Sequence, residues 1–275
     1  MSRARTGKLR LDQLLVARGL AETRARAQAL VMAGRVRSAG VVLDKPGRLV
    51  PEDLPLELAG GGEPDWASRG ALKLLAALDA FAIDPAGRVA LDIGASTGGF
   101  TDVLLRRGAK RVYAVDVGKG QLLWRLRTDP RVVLLEGVNA RYLTREQVPE
   151  PVELVTCDAS FVSLKLVLPP ALALTAPGAR VVALIKPQFE AGREAVGKGG
   201  VVRDPTVHAR VRAEIAAWLA ALPGWRVLGI VPSPILGPAG NKEFLIAAKR
   251  EAEGSVGAVG PPAPARTPDR APPRG

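Results

Sequence analysis

Between residues 66 and 249 the chain alternates short apolar runs with amphipathic stretches, and that alternation limits its fold more than any other feature. The runs fall at 89–93, 111–117, 132–135, 152–157, 180–185, 226–231 and 243–248. Each has the length of a strand, and all but the last two are separated by stretches of helical character. Strands alternating with helices form parallel β-α-β units. The expectation is therefore an α/β fold: a seven-stranded, doubly wound, Rossmann-like sheet with helices on both faces. The last two runs are joined by a loop, which predicts an antiparallel hairpin at one edge.

The first run leads into Asp92-Ile-Gly-Ala-Ser-Thr-Gly-Gly-Phe100, and a helical pattern begins at Thr101. Glycines at a strand–turn–helix junction let a ligand approach backbone N–H groups. Gly94, Ala95, Ser96, Thr97, Gly98, Gly99 and Phe100 are therefore candidate cofactor contacts. Asp92, just ahead of the first glycine, selects among ligands. A carboxylate there repels a pyrophosphate. It suits S-adenosylmethionine, which carries an ammonium and a sulfonium and no phosphate. The second run ends at Asp116, placed to accept hydrogen bonds from ribose hydroxyls. Asn139, after the third run, is placed to face an adenine. Ordinary turns with acids as caps are the alternative, disfavoured by two acids at successive strand ends.

The first fifth of the chain has a different character. Residues 1–50 hold eleven Lys or Arg against three acids (Asp12, Glu22 and Asp44), a surplus of eight that makes up two thirds of the net charge of +12. Such a concentration points to a polyanionic partner. Leu11, Leu14, Leu15 and Ala17 mark a short helix stopped by Gly19. Thr23 is placed to cap a second helix that carries Ala27, Leu30 and Val31 and ends at Gly34. Val36 to Leu43 reads as two short strands around Ala39-Gly40. Arg10, Arg18, Arg24, Arg26, Arg35, Arg37 and Lys45 fall at helix starts and strand edges, where they can follow a phosphate backbone.

Gly60-Gly-Gly62 and Pro64 break the pattern. The expected organisation is a small α+β domain at 1–60, a linker at 61–67, the α/β domain at 68–250 and a Pro-rich disordered tail at 251–275. One cysteine, Cys157, excludes an internal disulfide and a Cys-based zinc site. The single histidine, His208, argues against metal catalysis and reads as a surface residue at a helix start. No apolar stretch approaches the ~18 residues needed to span a bilayer, and no signal core follows the basic N-terminus. These features predict a cytoplasmic protein without a metal; a monomer is favoured, and the oligomeric state is left open.

Further charged residues fall at strand ends. The fourth run ends in Val155-Thr-Cys-Asp-Ala-Ser160, the fifth in Leu184-Ile-Lys-Pro-Gln-Phe189, and the last begins Asn241-Lys-Glu-Phe244. Ligands of open α/β sheets lie beyond the carboxyl ends of the parallel strands. Asp158 and Lys186 belong there. An antiparallel strand starts at the same edge, which adds Glu243. Lys73 lies on the helix before the first strand and can reach it too; for that helix Ser68 is the expected cap and Leu72, Leu75, Ala76 and Leu78 the core stripe. This quartet suits methyl transfer to a sugar hydroxyl, which must lose its proton during attack. A lysine amine can take that proton when desolvation and a second cation favour its neutral form. Lys186 is the candidate base or hydroxyl-orienting group, Lys73 its modulator, and Asp158 and Glu243 position both. Salt bridges at a sheet edge are the competing explanation. The Gly-rich loop 191–203, with Arg193, Lys198 and Arg203, is expected to fold over RNA beside a nucleotide swung out of its stack.

Two family resemblances accompany these residues. Arg10-Leu-Asp-Gln-Leu-Leu15, Arg18-Gly-Leu20, Thr23-Arg24, Gly34-Arg-Val36 and Ala39-Gly40 resemble the S4 RNA-binding domain. Ser68-Arg-Gly-Ala-Leu-Lys73, the 92–100 turn, Asp116-Val-Gly118, Cys157-Asp-Ala-Ser-Phe161, Ile185-Lys-Pro-Gln-Phe-Glu190 and Gly240-Asn-Lys-Glu-Phe244 resemble the TlyA family, related to the FtsJ 2′-O-methyltransferases and also labelled haemolysin A-like. The resemblance spans 9–249. It implies a methyltransferase that uses S-adenosylmethionine to methylate cytidine 2′-hydroxyls in ribosomal RNA, 16S, 23S or both, on ribosomal subunits. It also implies a Lys-Asp-Lys-Glu tetrad at Lys73, Asp158, Lys186 and Glu243. A ribosome-binding protein with a degenerate methyltransferase fold is the alternative; the presence of all four charged residues speaks against it. Membrane damage rests on the haemolysin label alone.

Overall fold

The computed structural model describes residues 7–21, 23–58, 66–237 and 239–251. The expected tail and most of the expected linker lie outside these residues. The first unit contains β1 (Lys8–Arg10), α1 (Leu11–Ala17), α2 (Arg24–Met32), β2 (Val36–Ser38), β3 (Val41–Val42), β4 (Leu49–Pro51) and β5 (Glu57–Leu58). β1 pairs with β4, and β2 with β3 and β5, all antiparallel. Thr23 caps α2 as its sequence position predicts, its Oγ1 accepting from Arg26 N at 3.1 Å. The β2–β3 turn has Ala39 and Gly40 both at positive φ, the geometry that matches hairpin twist. Leu11, Leu14, Leu15, Ala27, Leu30 and Val31 pack with Val36, Leu43 and Val50 into a core of their own.

The second unit holds α3 (Gly70–Ala80), β6 (Val89–Ile93), α4 (Gly99–Arg106), β7 (Arg111–Asp116), α5 (Trp124–Arg127), β8 (Val132–Glu136), β9 (Val152–Cys157), α6 (Leu164–Ala173), β10 (Thr175–Ile185), α7 (Pro187–Glu190), α8 (Pro205–Ala220), β11 (Trp225–Pro232) and β12 (Phe244–Arg250). Its seven strands run in the order β11-β12-β10-β9-β6-β7-β8. β12 is antiparallel to both neighbours and the remaining pairs are parallel. After β8 the chain returns to the other side of β6 to lay down β9. The switch point, where such sheets bind ligands, therefore lies beyond the carboxyl ends of β6 and β9. Every residue of β6 is buried, and separate apolar clusters cover the two faces of the sheet. Fully buried leucines such as Leu91 and Leu154 each contribute about 1.5–3 kcal/mol of apolar burial.

Three local expectations need correction. α3 begins at Gly70 with Arg69 as its flanking residue, and Ser68 Oγ accepts from Gly70 N at 3.2 Å without being the cap. Its buried face is Ala71, Lys73, Leu74, Ala77 and Leu78, so of the predicted stripe only Leu78 is fully covered. A helix this rich in Leu and Ala is apolar on several faces, and periodicity alone does not choose among them. His208 is buried rather than exposed: it sits one turn into α8, its ring meets Phe244 edge-on at 5.7 Å, and Nε2 lies 2.9 Å from Val202 O. Finally, β10 starts five residues before the predicted run; its first part is irregular in pairing, where Pro177 and Gly178 interrupt the ladder.

Candidate active site

The Gly-rich turn closes β6 against the start of α4. Gly94 (φ +79°) passes so near the chain after β9 that a Cβ would lie 3.0 Å from Ala159 and Asp158 backbone atoms. Gly98 (φ +102°) faces Leu126 and Leu122, and a Cβ on Gly99 would collide with Ser68 Oγ. Only glycine fits these positions. Asp92 is not part of the cavity lining described below. Its carboxylate is fully buried and accepts from Thr101 Oγ1 at 2.7 Å and Thr156 Oγ1 at 2.9 Å. Burial pushes its pKa up to about 6, against the pull of the two hydroxyls. It braces the turn from beneath, because β6 is covered on both faces. Asp116 ties β7 to the turn by accepting from Ser96 N at 2.8 Å and Gly118 N at 2.7 Å. Asn139 is exposed, and its side chain accepts from Arg141 N at 3.1 Å.

A cavity of about 650 Å³ opens at the switch point. Gly94, Ala95, Ser96, Thr97, Gly99 and Phe100 line one side, and Lys73, Asp158, Lys186 and Glu243 also line it. Asp92, Gly98, Asp116 and Asn139 are not in the lining. The four charged groups form a chain of alternating sign. Glu243 Oε2 lies 2.6 Å from Lys73 Nζ, Lys73 Nζ lies 3.8 Å from Asp158 Oδ2, and Asp158 Oδ1 lies 2.6 Å from Lys186 Nζ. Lys186 Nζ also donates to Asp158 O at 3.2 Å and Ser160 Oγ at 2.8 Å. The topology explains the convergence: Asp158 and Lys186 follow the parallel strands β9 and β10, and Ile185 pairs with Phe244. Glu243 therefore arrives one residue beyond that pair from the opposite direction. Beside them Cys157 is buried, and burial pushes its thiol up to about 12, so it is no nucleophile.

The predicted RNA contacts divide. Arg10 and Arg24 are held by the buried Asp12, each at 3.0 Å, and Gln28 donates to the same carboxylate at 2.9 Å. The Asp12 carboxyl is held well below its usual range, chiefly by the Arg10 hydrogen bond. Arg18 donates to Leu54 O at 2.6 Å and to Glu52 O, closing the end of the module. These three act first as fasteners, since a buried acid and bare carbonyls need partners. Arg26 and Arg35 are also engaged within the chain. Arg37, Lys45, Arg193 and Lys198 are exposed, and Gly199 and Gly200 of the 191–203 loop reach the cavity lining.

A profile described as FtsJ-like methyltransferase matches residues 66–250, and an S4 domain profile matches residues 9–54. Over 253 residues the chain is 48% identical to the 16S/23S rRNA (cytidine-2′-O)-methyltransferase TlyA of Mycobacterium tuberculosis, covering 92% of this chain and 94% of that protein. The chain belongs to the TlyA family of FtsJ-like methyltransferases. The methyltransferase is also 36% identical over 238 residues to Hemolysin A of Brachyspira hyodysenteriae, covering 86% of this chain and 98% of that one. A solved structure of a hemolysin-labelled protein from Streptococcus thermophilus shares 44% identity over 90% of each chain, with a TM-score of 0.69. Among the described residues of this methyltransferase no helix is long and apolar enough to cross a membrane.

Several residues around the site were given no role by the sequence. Asn241 is buried, accepts from Val202 N at 2.9 Å and donates to Gly200 O at 2.8 Å, so it latches the 191–203 loop to the segment that carries Glu243. Asp102, one turn into α4, accepts from Ala67 N at 2.9 Å and pairs with Arg106 and Arg125. Arg69 bridges the two units: its guanidinium lies 2.9 Å from Asp44, and its backbone N–H donates to Met32 O at 2.8 Å.

Proposed function

We propose that this protein transfers a methyl group from S-adenosylmethionine to the 2′-hydroxyl of cytidine in ribosomal RNA, of the 16S or 23S kind or both. The observation that carries this reading is the Glu243-Lys73-Asp158-Lys186 chain on a cavity shared with the Gly-rich turn. The activity for which the Mycobacterium tuberculosis relative is named supports the substrate. A turn whose residues 94–100 carry no charge fits a cofactor without phosphate. Gly94, Ala95, Ser96, Thr97, Gly99 and Phe100 would hold it, with Asp116 fixing the turn. When bound, S-adenosylmethionine supplies an electrophilic methyl group.

The residues then divide the remaining work. Lys186 meets the target hydroxyl, orients it and takes its proton when the amine is neutral. Asp158 fixes the direction of the Lys186 amine and, with Lys73, links it to Glu243. Glu243 fixes Lys73. The exposed cations of the S4 domain and of the 191–203 loop hold the RNA backbone. The substrate implies ribosomal subunits or their RNA as partner and the cytoplasm as location. The domains follow as RNA-binding at 1–60 and catalytic at 68–250, joined at 61–67.

The test is mass-spectrometric mapping of ribosomal RNA treated with the protein and isotope-labelled S-adenosylmethionine. The expected product is a methyl group on a cytidine ribose, lost in Lys186→Ala while RNA affinity stays nearly intact. A methyl group on a base, or full activity in Lys186→Ala, overturns the reading.

A further inference from the structure

We propose that the crevice between the two domains is a subsite for the single-stranded nucleotide next to the methylated one. Arg48 and Lys45 hold its phosphate, and its base lies against Leu236 and Ile235. This rests on the RNA-methyltransferase reading and extends it to a second binding position.

The crevice encloses about 700 Å³. One wall is the segment that carries Asp44, Lys45 and Arg48, on the S4 domain; the other is the segment that carries Ile235 and Leu236, shortly before Glu243. Arg69 also lines it and neutralises Asp44 at 2.9 Å. Lys45 and Arg48 are exposed and form no ion pair among the described residues. The S4-domain wall therefore keeps two uncompensated positive charges. On the other wall Leu236 is 54% exposed, one of the few large apolar side chains left in water.

Cations facing an apolar wall match a single strand, which offers a phosphate and a bare base face at each nucleotide. A duplex hides its base faces in the stack and has no use for the apolar wall. The position is equally specific. Asp44, Lys45, Arg69, Ile235 and Leu236 line both the crevice and the catalytic cavity. A strand whose target nucleotide enters the cavity passes directly into the crevice. The S4 domain thus contributes to the placement of the reacting ribose as well as to overall affinity.

Two exposed positions test this without touching the core. Binding of fluorescein-labelled octacytidylate is read by anisotropy across a KCl series, and methyl transfer is read against the concentration of transcribed ribosomal RNA. Arg48→Ala should weaken octacytidylate binding about threefold to tenfold and reduce the log Kd against log salt slope by about 0.7. Leu236→Ser should weaken it about threefold with the slope unchanged, because no charge is lost. Both should raise KM for ribosomal RNA while the affinity for S-adenosylmethionine stays constant. If the wild type methylates RNA and both variants keep its KM and octacytidylate affinity, the subsite is overturned and the activity stands. If tripolyphosphate displaces octacytidylate and Leu236→Ser has no effect, the crevice is a general anion site and the proposal is wrong. A wild type that transfers no methyl group overturns the enzymatic reading, and the anisotropy titration still decides the subsite.

Discussion

Replacing Lys73 by Met separates a catalytic chain from a fortuitous ion pair. Lys73 Nζ lies 2.6 Å from Glu243 Oε2, and the Glu243 side chain is completely buried. Its other oxygen, Oε1, is buried without a hydrogen-bond partner among the described residues. Glu243 therefore leans on Lys73 almost alone. Removing one partner of a buried ion pair costs roughly 3–5 kcal/mol, because the remaining charge has neither water nor counterion. Lys73→Met should fall in that range. Adding Glu243→Gln removes the stranded charge and leaves a buried amide, whose unsatisfied groups cost about 1–3 kcal/mol. The double variant should thus be about 2 kcal/mol more stable than Lys73→Met, although it lacks one more native group. Both should be inactive in methyl transfer. Urea unfolding followed by the fluorescence of the four tryptophans measures the difference. If Lys73→Met unfolds within about 1 kcal/mol of the wild type, or Glu243→Gln deepens its loss, the argument that burial makes the pair interdependent is refuted.

Asp92 predicts a pH effect of definite sign. Its folded pKa is pushed up to about 6 from an ordinary value near ~3.9, so between these values the folded state binds more protons than the unfolded one. Stability should therefore fall by about 2–3 kcal/mol as pH rises through that window and then level off, and Asp92→Asn should remove this slope; parallel pH profiles of urea midpoints would count against it. Gly98→Ala puts a side chain at φ +102° against Leu126 and Leu122, and should weaken S-adenosylmethionine binding at least about tenfold by calorimetry, through backbone strain and overpacking. Unchanged affinity would show that the turn tolerates a side chain. Asp12→Ala sets charge against architecture: deleting an acid favours RNA by net charge, yet it releases Arg10, Arg24 and Gln28 together. We expect RNA affinity in an anisotropy titration to drop several-fold, and a rise would mean that Arg10 and Arg24 act as free phosphate contacts.

The sheet was legible because a strand buried on both faces must be written as a continuous apolar run, and β6, β7 and β9 are written that way. Asp158, Lys186 and Glu243 were legible by the same logic, since they lie at the ends of β9, β10 and β12, whereas Lys73 lies within α3. The direction of a side chain inside a covered strand was not legible. Asp92 looks like a ligand contact from its position before a glycine, and only the pairing of β6 with β9 reveals Thr156 beside it. The same holds for His208: its three-residue distance from Pro205 suggests exposure, but the turn of α8 carries it onto Phe244. Basic residues in the S4 domain look interchangeable in sequence. What distinguishes Arg10 from Arg37 is a single buried acid two residues away, whose burial no local pattern announces. The roles of Asn241 and Asp102 were invisible for a related reason, since each satisfies backbone groups of a distant segment.

The hydrogen bonds of Lys186 give the site its working logic. An ammonium has three N–H donors; Lys186 Nζ donates to Asp158 O and Ser160 Oγ and is ion-paired with Asp158 Oδ1 at 2.6 Å. In that arrangement it has no lone pair to offer a substrate hydroxyl. To accept a proton it must first give one up, and one of the three contacts must change. Two of the contacts belong to Asp158, an ion-paired carboxylate oxygen and a hydrogen-bonded carbonyl, and neither oxygen carries a proton to donate. Ser160 is different, because a hydroxyl can turn from acceptor to donor. It is also exposed and lines the cavity. On the proposed reading, Asp158 would hold the amine in a fixed direction while the Ser160 contact exchanges for the ribose hydroxyl. On the same reading, binding of the target nucleotide and activation of Lys186 would then be one event.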